Sequence, residues 1–256
     1  MSVTRFRVRH CGDGKAAIQE VKYNGVSTYC FRCGESIWEP REPVLRAPTA
    51  EPRQDHPAPP DVGDEWPAHA VAWLAALGFG RYERERLFQC YWNEHFERII
   101  FPLNNGFWTA RAVADPRRGR FAPPDTRIKW LSGLYGRARC VQEYGALAGN
   151  TRVPVVLTED ILSAAKVGLS GAPVVAIPCL GTLPSPAVMA RAAEAPMTVW
   201  WLDPDDAGIR MARQGNKRLA ALGSDTRIMF NRVGDQDPKY LEAEEIRRRL
   251  SSMTQP

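Results

Sequence analysis

The sequence lacks any apolar run of the length that crosses a membrane, which is about 18–20 residues. Its N-terminal stretch contains no apolar core, so we expect no secretory signal. It also lacks a G-x-x-x-x-G-K-[ST] loop, so we expect no fused P-loop motor. Neither sign of charge dominates, because the sequence contains 34 Lys and Arg and 29 Asp and Glu, which gives a net charge of +5. We therefore expect a cytoplasmic protein with no membrane partner, and a polyanionic partner is permitted rather than required.

The size and composition predict a folded protein with more than one compact unit. Of the 256 residues, 44% are hydrophobic and 25% are charged, which excludes wholesale disorder. Residues 40–67 hold eight of the 21 prolines and almost no large apolar residue, so they are predicted to form an extended linker. The predicted divisions are an N-terminal domain at 1–39, the linker at 40–67, a basic middle region at 68–150, a strand–helix domain at 151–238 and a C-terminal helix and tail at 239–256.

After residue 150, short apolar strands alternate with helices. Uniformly apolar strands that alternate with helices favour a parallel sheet covered on both faces. The predicted strands are Val153–Leu157, Val174–Ile177, Val199–Leu202 and Arg227–Phe230. The predicted helices are Ile161–Val167, Pro186–Ala193, Ala207–Leu222 and Leu241–Leu250.

Carboxylates follow three of these strands, and the carboxyl ends of parallel strands meet at one edge of a sheet. Glu159 follows the first strand, Asp203 and Asp205 follow the third, and Asp237 follows the fourth. Like charges about 4 Å apart repel by about 4 kcal/mol at an effective dielectric constant of 20, and a hard divalent cation such as Mg²⁺ relieves that repulsion. The alternative is that such acids cap helix N-termini, and it applies most strongly to Asp160 and Asp206.

Four segments in this region resemble the ordered motifs of a TOPRIM domain. They are Val-Val-Leu-Thr-Glu159, Ile-Pro-Cys-Leu-Gly181-Thr, Trp-Leu-Asp203-Pro-Asp205-Asp-Ala-Gly208 and Asp235-Gln-Asp237-Pro238. The resemblance implies that Glu159, Asp203 and Asp205 are catalytic and hold Mg²⁺ or Mn²⁺ ions for two-metal phosphoryl transfer, with Asp237 as a further ligand. The family often has Gly after the Glu and an acid four residues after it, where this sequence has Asp160 and Ser163.

The basic middle region resembles the polymerase subdomain that precedes TOPRIM in DnaG-type primases. The resemblance lies in Arg98-Ile-Ile-Phe-Pro102, Trp108-Thr-Ala-Arg111 and Ile128-Lys129-Trp130-Leu-Ser132. It implies that Arg111 and Lys129 contact nucleotide phosphates or the template backbone, and Trp130 or Tyr135 can stack on a base. The alternative is a solvated basic loop with core aromatic residues. Further arginines in this patch are Arg117, Arg118, Arg120, Arg127, Arg137 and Arg139.

The clustered N-terminal cysteines predict a zinc ribbon. Cys30-Phe-Arg-Cys33-Gly34 has the form of one metal-binding knuckle, and Cys11-Gly12 resembles the second half of another. A full second knuckle would have a ligand where Val8 stands, so the fourth ligand is open. His10 is the nearest candidate, Asp13 or a displaced backbone geometry is the alternative, and a ribbon without metal is a third possibility. The other cysteines, Cys90, Cys140 and Cys179, are expected to be buried small hydrophobes.

The order of these parts resembles that of DnaG-type and short phage primases. The expected fold is therefore α/β: a TOPRIM (Rossmann-like parallel sheet) domain preceded by a mixed α+β basic subdomain and a small N-terminal β zinc ribbon. The resemblance implies a DNA-directed RNA polymerase, a primase, that acts on single-stranded DNA with ribonucleoside triphosphates, Mg²⁺ and Zn²⁺, beside a separate replicative helicase. A TOPRIM nuclease and a non-catalytic single-stranded DNA adaptor are the alternatives.

Overall fold

The computed structural model describes residues 4–8, 10–11, 17–22, 25–33, 35–40, 65–113, 130–133, 136–229 and 236–254. The chain divides into two compact units, Met1–Gln54 and Asp55–Pro256. Most of the proline-rich segment expected as a linker lies outside the described residues. The domain boundaries set out above therefore stay predictions.

The N-terminal unit contains a four-stranded antiparallel sheet in which consecutive strands are neighbours. Strands β2 and β3 pair so that Ala17 lies opposite Cys30, and both side chains are fully buried. The small β unit expected from the sequence is confirmed. Its strands are β1 (Thr4–Val8), β2 (Ala17–Lys22), β3 (Gly25–Cys30) and β4 (Ser36–Pro40).

The second unit begins with helix α1 (Ala68–Ala76) and a second antiparallel sheet. A short turn at Asn104–Gly106 joins the strands Arg98–Pro102 (β6) and Trp108–Ala112 (β7) in an antiparallel hairpin. Asn105 and Gly106 have φ values of 58° and 71°, a region that these two residue types tolerate at turns. The strands, in their order across the sheet, are β5 (Tyr91–Asn93), β6 (Arg98–Pro102), β7 (Trp108–Ala112) and β8 (Trp130–Ser132).

The strand–helix alternation forms a parallel sheet with the order β10-β9-β11-β12. Every residue of β9, β10 and β11 is buried, as their uniformly apolar sequences predict. None of the described helices is long and apolar enough to cross a membrane. The strands are β9 (Val155–Thr158), β10 (Val175–Pro178), β11 (Thr198–Trp201) and β12 (Thr226–Ile228). The helices are α2 (Ile161–Leu169), α3 (Pro186–Ala193), α4 (Asp206–Ala221) and α5 (Ala243–Thr254).

Both faces of the parallel sheet are covered by hydrophobic clusters. Trp200 and Trp201 alternate along β11, so they belong to different clusters on opposite faces. The cluster around Trp201 also contains Ile161 of α2 and Phe101 of β6, so the antiparallel sheet and the parallel sheet share a core. Three cysteines lie within these clusters, as expected: Cys90, Cys140 and Cys179.

Candidate active site

Glu159 and Asp203 lie side by side at the carboxyl edge of the parallel sheet. Strands β9 and β11 are neighbours, and Thr158 lies opposite Trp201 where the two strands end. The chain therefore leaves both strands at the same level and brings the two acidic residues together. The backbone N–H of Asp203 donates a hydrogen bond to Oε2 of Glu159 at 3.3 Å.

Asp205 reaches the same edge as the N-cap of helix α4. Its Oδ1 accepts a hydrogen bond of 2.7 Å from the backbone N–H of Gly208. A side chain at position 208 would place Cβ 2.2 Å from the carbonyl oxygen of Asp203, so the helix can approach this loop only with glycine there. Asp206, expected as a possible cap, is instead the first helical residue and is exposed.

The carboxylates at this edge of the sheet repel one another, and a bound cation would reduce that repulsion. Burial, and then the negative charge of Asp205, raises the pKa of Glu159. Burial and the charge of Glu159 raise the pKa of Asp203 to about 7. Oδ1 of Asp203 is buried and has no hydrogen-bond partner among the described residues. Unsatisfied carboxylate oxygens are the ligands that Mg²⁺ prefers, so the unpartnered oxygen of Asp203 beside Glu159 suits a divalent cation.

A buried lysine lies beside these acids, and sequence reasoning missed it. The Nζ of Lys239 is 2.7 Å from Oδ2 of Asp160 and 2.6 Å from Oδ2 of Asp237. Burial disfavours the ammonium charge, but attraction to Asp160 and Asp237 outweighs it and raises the pKa of Lys239. Oδ1 of Asp160 caps helix α2 by accepting from the N–H of Ser163 at 2.8 Å, as the helix-cap alternative predicts. Lys239 lies in the short turn Pro238–Tyr240, after the last predicted strand. No periodic sequence pattern predicts this turn.

Arg111 lies between two tryptophan rings and close to the acidic edge. Its guanidinium carbon is 5.3 Å from the ring centroid of Trp73 and 5.2 Å from that of Trp130. Burial lowers the pKa of Arg111, and attraction to Asp160 and Tyr240 partly offsets this effect. Nε of Arg111 is buried without a hydrogen-bond partner among the described residues. A half-buried cation therefore borders the carboxylates, and Trp73, which the sequence did not single out, helps to hold it.

Several residues of the predicted basic patch lie outside the described residues. Arg137 is described, and its guanidinium donates a hydrogen bond to the hydroxyl of Thr182. Trp130 is half-buried, with the ring of Phe101 6.1 Å away and the Arg111 guanidinium against it. The residues of interest that lie outside are Arg117, Arg118, Arg120, Arg127, Lys129, Tyr135 and Asp235.

In the N-terminal unit, the structure brings His10 together with the three predicted cysteines. The candidate ligand atoms of His10, Cys11, Cys30 and Cys33 all lie within 4.8 Å of one another. Sγ of Cys11 lies 3.4 Å from Sγ of Cys30, and Sγ of Cys33 lies 3.6 Å from Nδ1 of His10. A tetrahedral zinc ion with ligand bonds of about 2.0–2.3 Å needs such spacing, and a Cys₃His set is a standard structural zinc site. Asp13, the alternative ligand, lies outside the described residues.

The surroundings of this cluster favour metal binding. The backbone N–H of Cys33 stabilises the Cys30 thiolate and lowers the pKa of Cys30 to about 6, whereas the hydrogen bond with Cys30 raises the pKa of Cys11 to about 11. Nε2 of His10 lies 3.5 Å from Oε2 of Glu35, which leaves Nδ1 for the cluster. A carboxylate commonly orients a zinc-binding histidine in this way. The cluster therefore fits zinc.

An N-terminal β unit with a Cys₃His cluster, an antiparallel sheet and a parallel sheet with acids at its carboxyl edge together define the class of fold. This is the fold of DnaG-type primases, and the expected fold class is confirmed. A solved DnaG catalytic core matches with a TM-score of 0.53 and 18% identity, over 72% of this chain and 73% of its own. At this identity the similarity establishes the fold alone.

Two further solved structures match with lower TM-scores. The zinc-binding and RNA polymerase domains of the Aquifex aeolicus primase match with a TM-score of 0.46 and 18% identity, over 61% of this chain and 40% of that one. This chain thus spans two fifths of the Aquifex chain. The primase fragment of the bacteriophage T7 primase-helicase protein matches with a TM-score of 0.42 and 12% identity, over 99% and 100% of the two chains. No protein-family model and no curated protein match the chain.

Proposed function

We propose that this protein is a DNA primase that synthesises short RNA primers on a single-stranded DNA template. One observation carries the proposal: Glu159, Asp203 and Asp205 converge at one edge of the sheet, with Oδ1 of Asp203 buried and unpartnered among the described residues. A buried, unpartnered carboxylate oxygen beside two further acids is suited to binding a cation. The DnaG-type fold supports polymerisation as the chemistry.

In this proposal, Glu159, Asp203 and Asp205 hold Mg²⁺ or Mn²⁺. A bound divalent cation supplies positive charge that favours deprotonation of an attacking hydroxyl and neutralises the nucleotide phosphates. The protein positions this charge by fixing the carboxylates on two adjacent strands and on a helix N-terminus. Because Glu159 and Asp205 each accept a hydrogen bond from a backbone N–H, these two carboxylates need little reorganisation when substrate binds.

The proposed reaction is a nucleotidyl transfer. The 3′-hydroxyl oxygen of one ribonucleotide forms a bond to the α-phosphorus of the next, and its proton passes to water. The bond between that phosphorus and the bridging oxygen to the β-phosphate breaks, and pyrophosphate leaves with the electron pair. Positioning and charge neutralisation supply the rate enhancement, as in other phosphoryl transfers.

Arg111 borders the carboxylates, and it is proposed to bind a phosphate group of the nucleotide. Trp73 and Trp130 lie against its guanidinium, and the N–H groups of the fork are proposed to donate to phosphate oxygens. Trp130 is thus proposed to contribute to nucleotide and template binding by orienting Arg111. Lys129, its sequence neighbour, is proposed to contact a phosphate as a point charge.

Partners and cofactors complete the proposal. The Cys₃His cluster would hold Zn²⁺ and shape the small β unit, which would help to bind the DNA template. Ribonucleoside triphosphates are the substrates. A separate replicative helicase is the proposed protein partner, as the resemblance to primases implies.

A primer-synthesis assay tests the proposal. The purified protein is incubated with single-stranded DNA of varied sequence, Mg²⁺ or Mn²⁺ and labelled ribonucleoside triphosphates. Short labelled RNA that needs both the template and the divalent cation supports a primase. Cleavage of the DNA without added nucleotides would instead indicate a TOPRIM nuclease. DNA binding without either reaction would indicate an adaptor, and both of these results contradict the proposal.

A further inference from the structure

Lys239 places a fixed positive charge inside the acidic edge. Its side chain is 8% exposed, and those of its partners Asp160 and Asp237 are 9% and 19% exposed. Both partners contact the ammonium at ion-pair distances of 2.7 and 2.6 Å. A buried ammonium is stable only when it is paired and hydrogen-bonded, so these contacts fix both carboxylates as well as the lysine.

The lysine divides the five carboxylates of this edge into two groups. Asp160 has both oxygens engaged, because Oδ1 accepts from the N–H of Ser163 and Oδ2 accepts from Lys239. Oδ2 of Asp237 also accepts from Lys239. In contrast, Oδ1 of Asp203 has no hydrogen-bond partner among the described residues. The second group is therefore Glu159, Asp203 and Asp205, and this is the group that an external cation would neutralise.

We propose that Lys239 is a built-in cation of this site, which occupies the Asp160–Asp237 side and leaves a single divalent-cation position at Glu159, Asp203 and Asp205. This inference rests on the proposed function, because it concerns the cation that the function requires. A second divalent cation at Asp237 would have to displace the ammonium or lie beside it, and both options are opposed by repulsion between positive charges. Lys239 is thus a positioning residue, since it acts through the two carboxylates that it holds.

The inference differs from the sequence expectation, in which Asp237 is a Mg²⁺ ligand. The two accounts predict different numbers of bound ions, so they can be separated without measuring activity. Removing the ammonium without changing the carboxylates should open the second position. Lys239→Met does this with a side chain of similar length, and Lys239→Arg keeps the charge.

The test is a Mn²⁺ titration of the full chain, with its zinc cluster loaded beforehand, followed by electron paramagnetic resonance. We expect one Mn²⁺ per chain for the wild type and for Lys239→Arg, and none for Asp203→Asn. Lys239→Met should bind a second Mn²⁺ or bind the first at least about tenfold more tightly. Lys217→Met, which removes an exposed lysine of α4, controls for the loss of one unit of net charge and should behave as the wild type.

Each other result overturns the inference, in a distinguishable way. Two Mn²⁺ in the wild type, or one in Lys239→Met with unchanged affinity, would overturn the role of Lys239 and leave the proposed cation site intact. No Mn²⁺ in the wild type would overturn the cation site and the inference together. If Lys239→Met fails to fold, Asp237→Asn gives the answer: we expect it to keep one Mn²⁺, and loss of that ion would identify Asp237 as a ligand and overturn the inference.

Discussion

The backbone N–H of Asp203 donates a hydrogen bond of 3.3 Å to the carboxylate of Glu159 across two neighbouring parallel strands. This bond fixes the two acidic residues next to each other although 44 positions separate them in the sequence. The bond satisfies Oε2 of Glu159. Oδ1 of Asp203 stays buried without a partner among the described residues. The site therefore holds charge that the protein alone does not neutralise.

Because the charge of the Asp203 carboxylate is not neutralised, we predict that Asp203→Asn stabilises the cation-free protein. The pKa of Asp203 is raised from 3.8 to about 7, so between these values the folded state binds more protons than the unfolded state. The free energy of unfolding therefore falls as the pH rises through this range. At pH 8 without divalent cation, we expect Asn at position 203 to raise the Tm by about 2–4 °C, the shift that about 1 kcal/mol produces in a domain of this size.

Thermal unfolding followed by circular dichroism checks this prediction. The difference between the two proteins should shrink towards pH 4, where Asp203 is protonated in the wild type. It should also shrink when Mg²⁺ is added at pH 8, because the cation stabilises the wild type alone. An Asn variant that is less stable than the wild type at pH 8 would show that Asp203 makes a stabilising contact instead.

Gly208→Ala should damage the site through the backbone. The added Cβ would lie 2.2 Å from the carbonyl oxygen of Asp203, so the loop or the helix must move. We expect a loss of about 1–3 kcal/mol in the free energy of unfolding by urea, together with weaker Mn²⁺ binding. Gly80→Ala is the control, since its Cβ would meet only the side-chain oxygen of Glu83, at 3.3 Å. Equal effects of the two substitutions would contradict the close approach.

Arg111→Lys should weaken nucleotide binding although the charge is kept. A lysine cannot replace the planar fork that lies between Trp73 and Trp130. We expect the KM for ribonucleoside triphosphates to rise about tenfold, as expected when a charge-assisted hydrogen bond is lost. Arg84→Lys is a matched control, because Arg84 also stacks on a tryptophan, Trp66, at 5.0 Å. An unchanged KM in Arg111→Lys would remove Arg111 from the phosphate-binding role.

The purified protein should contain one zinc ion per chain. Cys30→Ser should abolish it, and His10→Ala should lower its retention during dialysis against a chelator, because each removes one ligand of the Cys₃His cluster. Cys140→Ala should keep the zinc, since Cys140 is a buried residue of the other unit. Elemental analysis by mass spectrometry gives the stoichiometry. Zinc retained in full by Cys30→Ser would contradict the cluster as the binding site.

The sequence could predict the acidic edge because its cause is local and repetitive. Apolar strands that alternate with helices determine a parallel sheet, and the residues after each strand then share one edge, which places Glu159 near Asp203. The cap formed by Asp160 on the N–H of Ser163 was likewise within reach, because Asp at a strand–helix junction is a standard N-cap.

The sequence could not predict contacts that depend on three-dimensional packing. Lys239 meets Asp160 across 79 positions, and nothing in a short turn marks a lysine as buried. The placement of Arg111 between Trp73 and Trp130 joins a helix and two strands, so no spacing rule along the chain predicts it. The position of His10 beside the cysteines was open for the same reason, because adjacent ligands at 10 and 11 require a particular backbone path.

The most direct test of the account is primer synthesis by Asp203→Asn compared with Asp206→Asn. Both substitutions remove one carboxylate that follows β11, but Asp203 is half-buried beside Glu159 with its Oδ1 enclosed, whereas Asp206 is the exposed first residue of α4. We predict that Asp203→Asn lowers the rate of primer synthesis at least about 10³-fold while single-stranded DNA binding is kept, and that Asp206→Asn changes the rate less than about twofold. Equal rates for the two variants, or no synthesis by the wild type on any template, would contradict the account.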